Sequence, residues 1–474
     1  MAHLNQDDLH HNRVIRSFQL FFAKTTAGGI VLIVATAIAM IWANSMFHDS
    51  YHHLWNTKIS VFLGDLELFP SHGTHPFNIH MVINDALMVV FFFLVGLEIK
   101  RELLIGELSS FKKAMLPVIG AVGGVVGPVL IYVALNSADP AAMKGWAVPM
   151  ATDIAFSLGI LALAGDKVPL GIKVFLAALA IVDDLMAVLV IAIFYTDHVS
   201  LGWLAWGGLF AAVMYILNKL KINNPWAYFV ISLGLWYAFL QSGVHATIAG
   251  VVGAFLIPSE SLIDRKSFFE RTNDLWDRFK NYYEKNKSHH MNENEEDTIS
   301  MIERGLEKVQ SPLHRLEHGL TPYVAFIIMP IFALANAGVY FGNVTIDMLL
   351  NTVTIGIVLG LFFGKIIGIS AAVWIAVKVG LANLPRGTNF KQMVAVSILC
   401  AIGFTMALFV SGLSFEPGSD FETYSKLGIL IASTIAAVIG IIVLLNVIDN
   451  DEDEDSENKG NESDDESRPQ VKMI

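Results

Sequence analysis

Four ionisable side chains in this sequence sit inside long apolar runs and must be neutralised there. Asp183 and Asp184 are adjacent in Ala-Leu-Ala-Ile-Val-Asp-Asp-Leu, Lys365 follows Leu-Phe-Phe-Gly, and Asp153 follows Thr152, four residues after Pro149. If these runs are membrane helices, each charge costs about 2.5–3.5 kcal/mol on insertion scales and needs compensation. At 1.5 Å per residue, the Asp pair lies roughly 15 Å, about ten residues, from Lys173. Lys365 is about twelve residues into its own run, roughly 18 Å deep, so the groups share a depth near the bilayer centre.

Simple pairing that holds helices together accounts for one Asp and Lys365, yet three acids against one lysine leave carboxylate in excess. Protons or metal cations must make up the difference. Neighbouring helical residues point about 100° apart, so one Asp can hold Lys365 while the other faces a water-filled cavity. Burial and an acidic neighbour favour the neutral carboxyl, whereas Lys365 or a bound cation favours the carboxylate. That opposition suits exchange of protons for a cation at one site. The ligands on offer are carboxylates, the Thr152 hydroxyl and carbonyls freed where Pro149 interrupts a helix, all oxygen, which fits a hard alkali or alkaline-earth ion.

The elements that must carry these groups follow from composition. Of 474 residues 54% are hydrophobic and 16% charged, and the mean hydropathy is +0.56, against about 25% charged in soluble domains. The chain reads as an all-α polytopic membrane protein. Apolar windows occur near 27–44, 79–99, 115–135, 146–165, 172–195, 201–218, 225–241, 243–258, 321–340, 353–377, 392–413 and 424–447, giving twelve transmembrane helices, the first uncleaved. With the N-terminus inside, the inner short segments hold fourteen Lys and Arg and the outer ones three, Lys58, Lys144 and Lys426, which puts both termini in the cytoplasm.

The net charge of -12 belongs mainly to two appendages: 449–474 has 11 acids against 3 bases and 259–319 has 13 against 10. The organisation expected is a cytoplasmic segment 1–26, spans one to eight over 27–258, a partly helical cytoplasmic insert 259–319, spans nine to twelve over 320–448, and an acidic tail 449–474 too poor in apolar residues to fold. No basic patch with interleaved aromatics points to nucleic acid, and one cysteine, Cys400, excludes a disulfide framework. Residues 57–69, Thr57 to Phe69, alternate about Gly64-Asp65 as an external β-hairpin. His52, His53, His72, His75 and His80 read as solvated loop residues without metal-ligand spacing, and Gly120, Gly123, Gly124 and Gly127 as a close helix-packing face. A shift of 248 residues lays 147–157 over 395–405, and spans three to five over ten to twelve in the opposite sense across the membrane. Inverted-topology repeats of that kind place an ion site at the midplane between interrupted helices.

Several motifs together resemble the bacterial NhaA-type sodium/proton antiporters: Ala-Thr-Asp-Ile-Ala-Phe at 151–156, Ala-Ile-Val-Asp-Asp-Leu at 180–185, Ser-Gly-Val-His-Ala-Thr at 242–247, Gly-Lys at 364–365 and Ile-Gly-Phe-Thr-Met at 402–406. Asn-Asp at 84–85 and Gly-Leu-Glu-Ile-Lys-Arg-Glu at 96–102 extend the likeness over roughly residues 20–447 outside the insert. The family is itself one of the known instances of inverted repeats. The resemblance implies a bacterial inner-membrane antiporter, not an enzyme and without a cofactor, that expels Na+ or Li+ against inward H+. It implies that spans four and eleven are interrupted, with Cys400, Ile402, Gly403, Phe404 and Thr405 at the unwound crossing beside Asp153 and Thr152. Asp184 is then the principal cation ligand and proton carrier, Asp183 its companion in exchange with Lys365, and Na+ binds at the pair. A homodimer through the 57–69 hairpins, lipid contact, and pH sensing by Glu98, Glu102, Glu317 and His318 are also implied. Thr321 departs from the family, which often has a second His there.

Three competing readings have weaker support. An intramembrane aspartyl protease requires two acids sharing a proton across a cleft, but Gly-x-Gly-Asp is absent around these acids. A cation-coupled solute symporter needs a larger polar pocket than the few other intramembrane polar groups supply. A passive cation channel needs no proton coupling.

Overall fold

The computed structural model describes residues 27–60, 62–63, 66–67, 77–165, 168–196, 199–222, 224–261, 263–285, 291–385 and 387–466. Segment 1–26 lies outside this set, as do residues 61, 64–65 and 68–69 of the 57–69 hairpin region. Of that region, Phe62 faces Glu67 and Leu63 faces Leu66 in a two-residue antiparallel ladder, and Lys58 bridges Asn78. All other regular structure among the described residues is helical.

Among the described residues, seven helices are long and apolar enough to cross a membrane: Ile79–Ile105, Phe111–Asn136, Leu170–Phe194, Leu201–Lys219, Pro312–Asn336, Thr352–Lys378 and Asp420–Val447. Counting each bent pair as one span raises the number to ten; the pairs are Ala27–Ala43 with His48–Trp55, Pro140–Met150 with Ile154–Leu163, and Phe390–Leu399 with Phe404–Ser414. Each of the twelve apolar windows contains helix, but Pro225–Ser242 and the 11-residue Ala246–Leu256 are not among these ten. Large apolar side chains recur on outward faces, as at Ile30, Val34, Ile38 and Ile41 or at Val118, Val122, Val126 and Leu130. Stripes of that kind at helical spacing suit hydrocarbon and would be an aggregation hazard in water.

The chain divides into two compact units, Met1–Asn84 with Glu107–Tyr195 and Ala325–Ile474, and Asp85–Gly106 with Thr196–Val324. Both helices that pass from one unit to the other contain a π-helical turn at the passage, Val82–Leu87 and Val324–Ile328. Pro322 stands just before the second, where its missing N–H and its ring disturb the regular ladder.

In the second unit, Leu97, Met214, Tyr228, Leu235, Phe239, Ala249, Ala254, Ile257 and Leu313 form one apolar core. The insert contributes two helices, Arg265–Lys285 and Glu293–Val309, the latter opened by an Asn292/Glu295 capping box. The last helix of the chain continues to Glu466, where composition predicts a disordered tail from 449. Propagating a nucleated helix costs less than starting one, so the apolar turns before 448 extend their register into the acidic stretch.

In the first unit, glycines set the position of Lys365. The helices Phe111–Asn136 and Thr352–Lys378 meet backbone to backbone: a Cβ on Gly123 would lie 2.2 Å from the Gly368 carbonyl oxygen, and one on Gly127 2.3 Å from that of Gly364. The small-residue face expected at 120–127 is this contact. Gly123→Ala should therefore force the helices apart and cost about 1–3 kcal/mol. Gly202→Ala, at a helical position with nothing within 4 Å, should be neutral or gain about 0.5–1 kcal/mol. Apparent melting temperatures of the two purified variants, shifting in opposite directions or one falling alone, check the assignment.

Candidate functional site

Two helices of the first unit break at matching places. The first stops in the short turn Val148–Met150, runs extended through Ala151, Thr152 and Asp153, and restarts at Ile154. The second ends at Leu399 and restarts at Phe404. Across the breaks the axes turn by 43° and 49°. The breaks touch: a Cβ on Gly403 would come within 2.8 Å of the Ala151 carbonyl oxygen, and Asp153 N donates to Ile402 O at 2.7 Å.

Each broken helix leaves backbone groups without intrahelical partners in a buried and mainly apolar interior, where unmade bonds are costly. Side chains supply the replacements. Asp153 caps Ile154–Leu163 by accepting from Phe156 N at 2.9 Å, and its other oxygen accepts from Thr405 N at 3.0 Å and from the Thr405 hydroxyl. One carboxylate thus serves the positive ends of two half-helices. At the opposite pole the Ser157 hydroxyl donates to Leu399 O at 2.9 Å and the Thr152 hydroxyl to Cys400 O at 2.8 Å. Phe404 N donates to the Ser433 hydroxyl at 3.1 Å.

Lys365 enters this crossing from the Thr352–Lys378 helix, just after a π-helical turn at Gly360–Gly364. Its side chain is 0% exposed, and its Nζ donates to Asp183 Oδ2 and to Thr152 Oγ1, both at 2.7 Å. A hydroxyl has a single proton; since that of Thr152 goes to Cys400 O, the oxygen presents lone pairs to the ammonium. Asp183 and Asp184 are 2% and 3% exposed on the Leu170–Phe194 helix. Asp183 Oδ1 has no hydrogen-bond partner among the described residues. Asp183, Asp184, Lys365, Thr152 and Asp153, with Cys400, Ile402, Gly403, Phe404 and Thr405 at the second break, therefore belong to one buried region.

A second polar group lies within the other unit. Arg101 bonds to Glu317 Oε1 and, at 2.9 Å, to Glu102 Oε1, while Glu98 sits one turn before Glu102 on the same helix. The His318 ring meets His314 edge-on at 4.2 Å between centroids, and Thr321 donates its hydroxyl to Glu317 O at 2.7 Å. Arg101, the cation that joins these acids, carried no individual signal in the sequence beyond lying in Gly-Leu-Glu-Ile-Lys-Arg-Glu. The loop reading of His80 is corrected: it lies in the first turn of the Ile79–Ile105 helix and bonds Asn336 Oδ1 at 3.0 Å, and Asn336 Nδ2 in turn donates to Asn84 Oδ1 at 3.0 Å. Its apolar neighbours in sequence gave no sign of a partner more than 250 residues away.

The sequence profile of a family described as Na+/H+ antiporter 1 matches residues 19–444. The chain is 42% identical to Na(+)/H(+) antiporter NhaA 1 of Saccharophagus degradans over 431 residues, covering 90% of this chain and 91% of that one. It is 46% identical to Na(+)/H(+) antiporter NhaA of Koribacter versatilis over 434 residues, 91% of each chain, and 45% identical to the protein of that name from Vibrio cholerae over 421 residues, 89% and 95%. The match spans both broken helices, the Asp pair and Lys365, and the chain belongs to the Na+/H+ antiporter 1 family.

Proposed function

We propose that the chain exports Na+, with Li+ as an alternative cargo, in exchange for inward H+ at a single site composed of Asp183, Asp184, Thr152 and Lys365. The observation that carries this reading is the wholly buried Lys365, bonded at 2.7 Å to both Asp183 and Thr152 beside a second buried carboxylate. The names of the relatives, all Na+/H+ antiporters, support it. Asp184 is the principal cation ligand and proton carrier, and Asp183 its companion, which gives up Lys365 when it takes a proton. With the ion away, Asp184 takes a proton, because burial disfavours the charged form of a carboxyl group. When Na+ arrives, it replaces that proton, and Lys365 and Thr152 keep Asp183 charged and oriented. Remaining ligands come from hydroxyls and freed carbonyls; among the described residues no three His, Cys, Asp or Glu side chains converge to hold a metal.

In this proposal the membrane is the bacterial inner membrane, both termini are cytoplasmic, and Pro225–Ser242 and Ala246–Leu256 complete twelve spans. Spans three to five and ten to twelve are inverted repeats, a reading supported by the Thr152–Cys400 bond between residues 248 positions apart. Glu98, Glu102, Glu317 and His318 regulate activity with pH, Glu102 and Glu317 being joined by Arg101, and two copies pair through Thr57–Phe69.

Asp184→Asn should insert and fold normally yet lose Na+-driven proton movement to background in proteoliposomes. The amide keeps the shape but neither releases a proton nor offers a charge to the cation. Parental exchange by folded Asp184→Asn protein would reject the site. Asp183→Asn should also be severely impaired, with altered charge coupling in any exchange that remains.

Exchange should also be electrogenic. If two protons enter for each Na+ that leaves, the second carried by Asp183 or by Lys365, one net charge moves per cycle and couples to the potential at about 2.3 kcal/mol per 100 mV. With equal pH and equal Na+ on both sides, a valinomycin potassium potential should drive uphill Na+ movement whose direction follows its sign. No response to either polarity, in vesicles that exchange under a pH gradient, would mean one proton per cation.

A further inference from the structure

The insert helix Arg265–Lys285 has two apolar faces, and packing within the insert uses one. Phe268, Leu275, Phe279 and Tyr282 are partly buried, with Phe268 against Gly305 of the Glu293–Val309 helix. The other face presents Phe269, Trp276 and Tyr283, seven residues apart and 65%, 60% and 67% exposed. Arg265 lies one turn before Phe269 and Lys280 one turn after Trp276, both exposed. At 100° per residue the acids of the helix, Glu270, Asp274, Asp277 and Glu284, lie roughly 80–160° round from the centre of this stripe.

We propose that this face docks on the anionic lipid surface of the membrane leaflet from which the insert emerges. Three features select a lipid surface. Trp, Tyr and Phe present apolar rings with, in two cases, a polar tip, the chemistry enriched at the membrane–water boundary. The charges interleaved with them are basic, which matches anionic headgroups and not a neutral or basic surface. The hairpin is also tethered at its base: Leu313 N donates to Pro258 O at 3.1 Å and Ile263 N to Lys308 O at 3.4 Å. Both ends are thereby held within a few residues of the helices Ala246–Leu256 and Pro312–Asn336, and the leaflet surface is at high local concentration. Docking immobilises the hairpin on the bilayer and makes its position responsive to lipid charge.

The test uses the full chain in lipid nanodiscs. Cys400 is wholly buried, so a nitroxide on Trp276→Cys or on Arg278→Cys, which lies on the opposite side of the helix, reports its own position; unlabelled parent protein is the control. Collision with oxygen, which concentrates in the bilayer, and with a water-soluble nickel chelate measures where each label sits. In discs of phosphatidylglycerol and phosphatidylcholine holding one protomer, the label at 276 should be shielded from nickel and open to oxygen, and that at 278 should stay water-facing. Adding Arg265→Gln and Lys280→Gln to Trp276→Cys should lower the docking equilibrium constant about fivefold per charge removed. Equal nickel access at 276 and 278 in anionic discs would overturn the proposal. So would shielding that is undiminished in pure phosphatidylcholine, or that appears only with two protomers per disc and so assigns the face to a second copy. Ion exchange at the parental rate by the labelled proteins in proteoliposomes separates each of these failures from failure of the transport site.

Discussion

An ammonium ion held in an apolar interior by one carboxylate and one hydroxyl is the constraint on which the rest of the first unit depends. Lys365 reaches Asp183 and Thr152 with no exposure to solvent. Such a pair contributes little net stability, because desolvation of both ions offsets their attraction, and matched apolar side chains would hold the helices as well. Removing one partner is another matter, at about 3–5 kcal/mol for the charge left behind. The pair therefore keeps in the interior two charges, neither of which can be left alone at low cost, and the proposed coupling of proton and cation occupancy rests on that requirement.

Three backbone arrangements hold that ion pair in place. Glycine contacts at Gly123 and Gly127 bring the lysine helix closer to its neighbour than side chains would permit. The π-helical turn at Gly360–Gly364 adjusts the rotation of the helix just before Lys365. The two interrupted helices then deliver the remaining polar groups, with Asp153 against two helix N-termini and Thr152 and Ser157 against the carbonyls of a C-terminus. The partial charges at broken helix ends are strong fixed dipoles in a low dielectric. Here they are met by an acid at the positive ends and by hydroxyl protons, with the lysine behind them, at the negative end. The chain can thus keep irregular backbone where every unpaired group is costly.

Much of this was legible in the sequence. Charge inside apolar runs cannot be neutral to folding, so Asp153, Asp183, Asp184 and Lys365 stand out from composition and depth alone, and Pro149 marks the neighbourhood of the first break. The second break has no proline, and within that span the pattern at Ile398–Thr405 is simply apolar and small; the weak repeat and the family motifs were its only signals. His80 illustrates the converse, since a histidine near an outer loop is ordinarily solvated and nothing local indicates Asn336 as its partner. The aromatic stripe of the insert was half visible: a partly helical insert was expected, and Phe268, Leu275, Phe279 and Tyr282 recur in it at helical spacing, but nothing local shows that a second set one position round remains exposed.

Residue type and helical rise are enough to read the membrane class, the excess of carboxylate over amine and the oxygen-only donors near these charges. The packed helices are needed to show which acid holds Lys365, that the Thr152 hydroxyl turns its proton to Cys400 and its lone pairs to the lysine, that Asp153 serves both half-helices, and that Arg101 joins Glu102 to Glu317. Two adjacent aspartates are equivalent in composition and differ by about 100° in direction. Which of them meets a lysine 182 positions away depends on the rotation of two helices, and that rotation is fixed by glycine contacts and backbone breaks far apart in the chain.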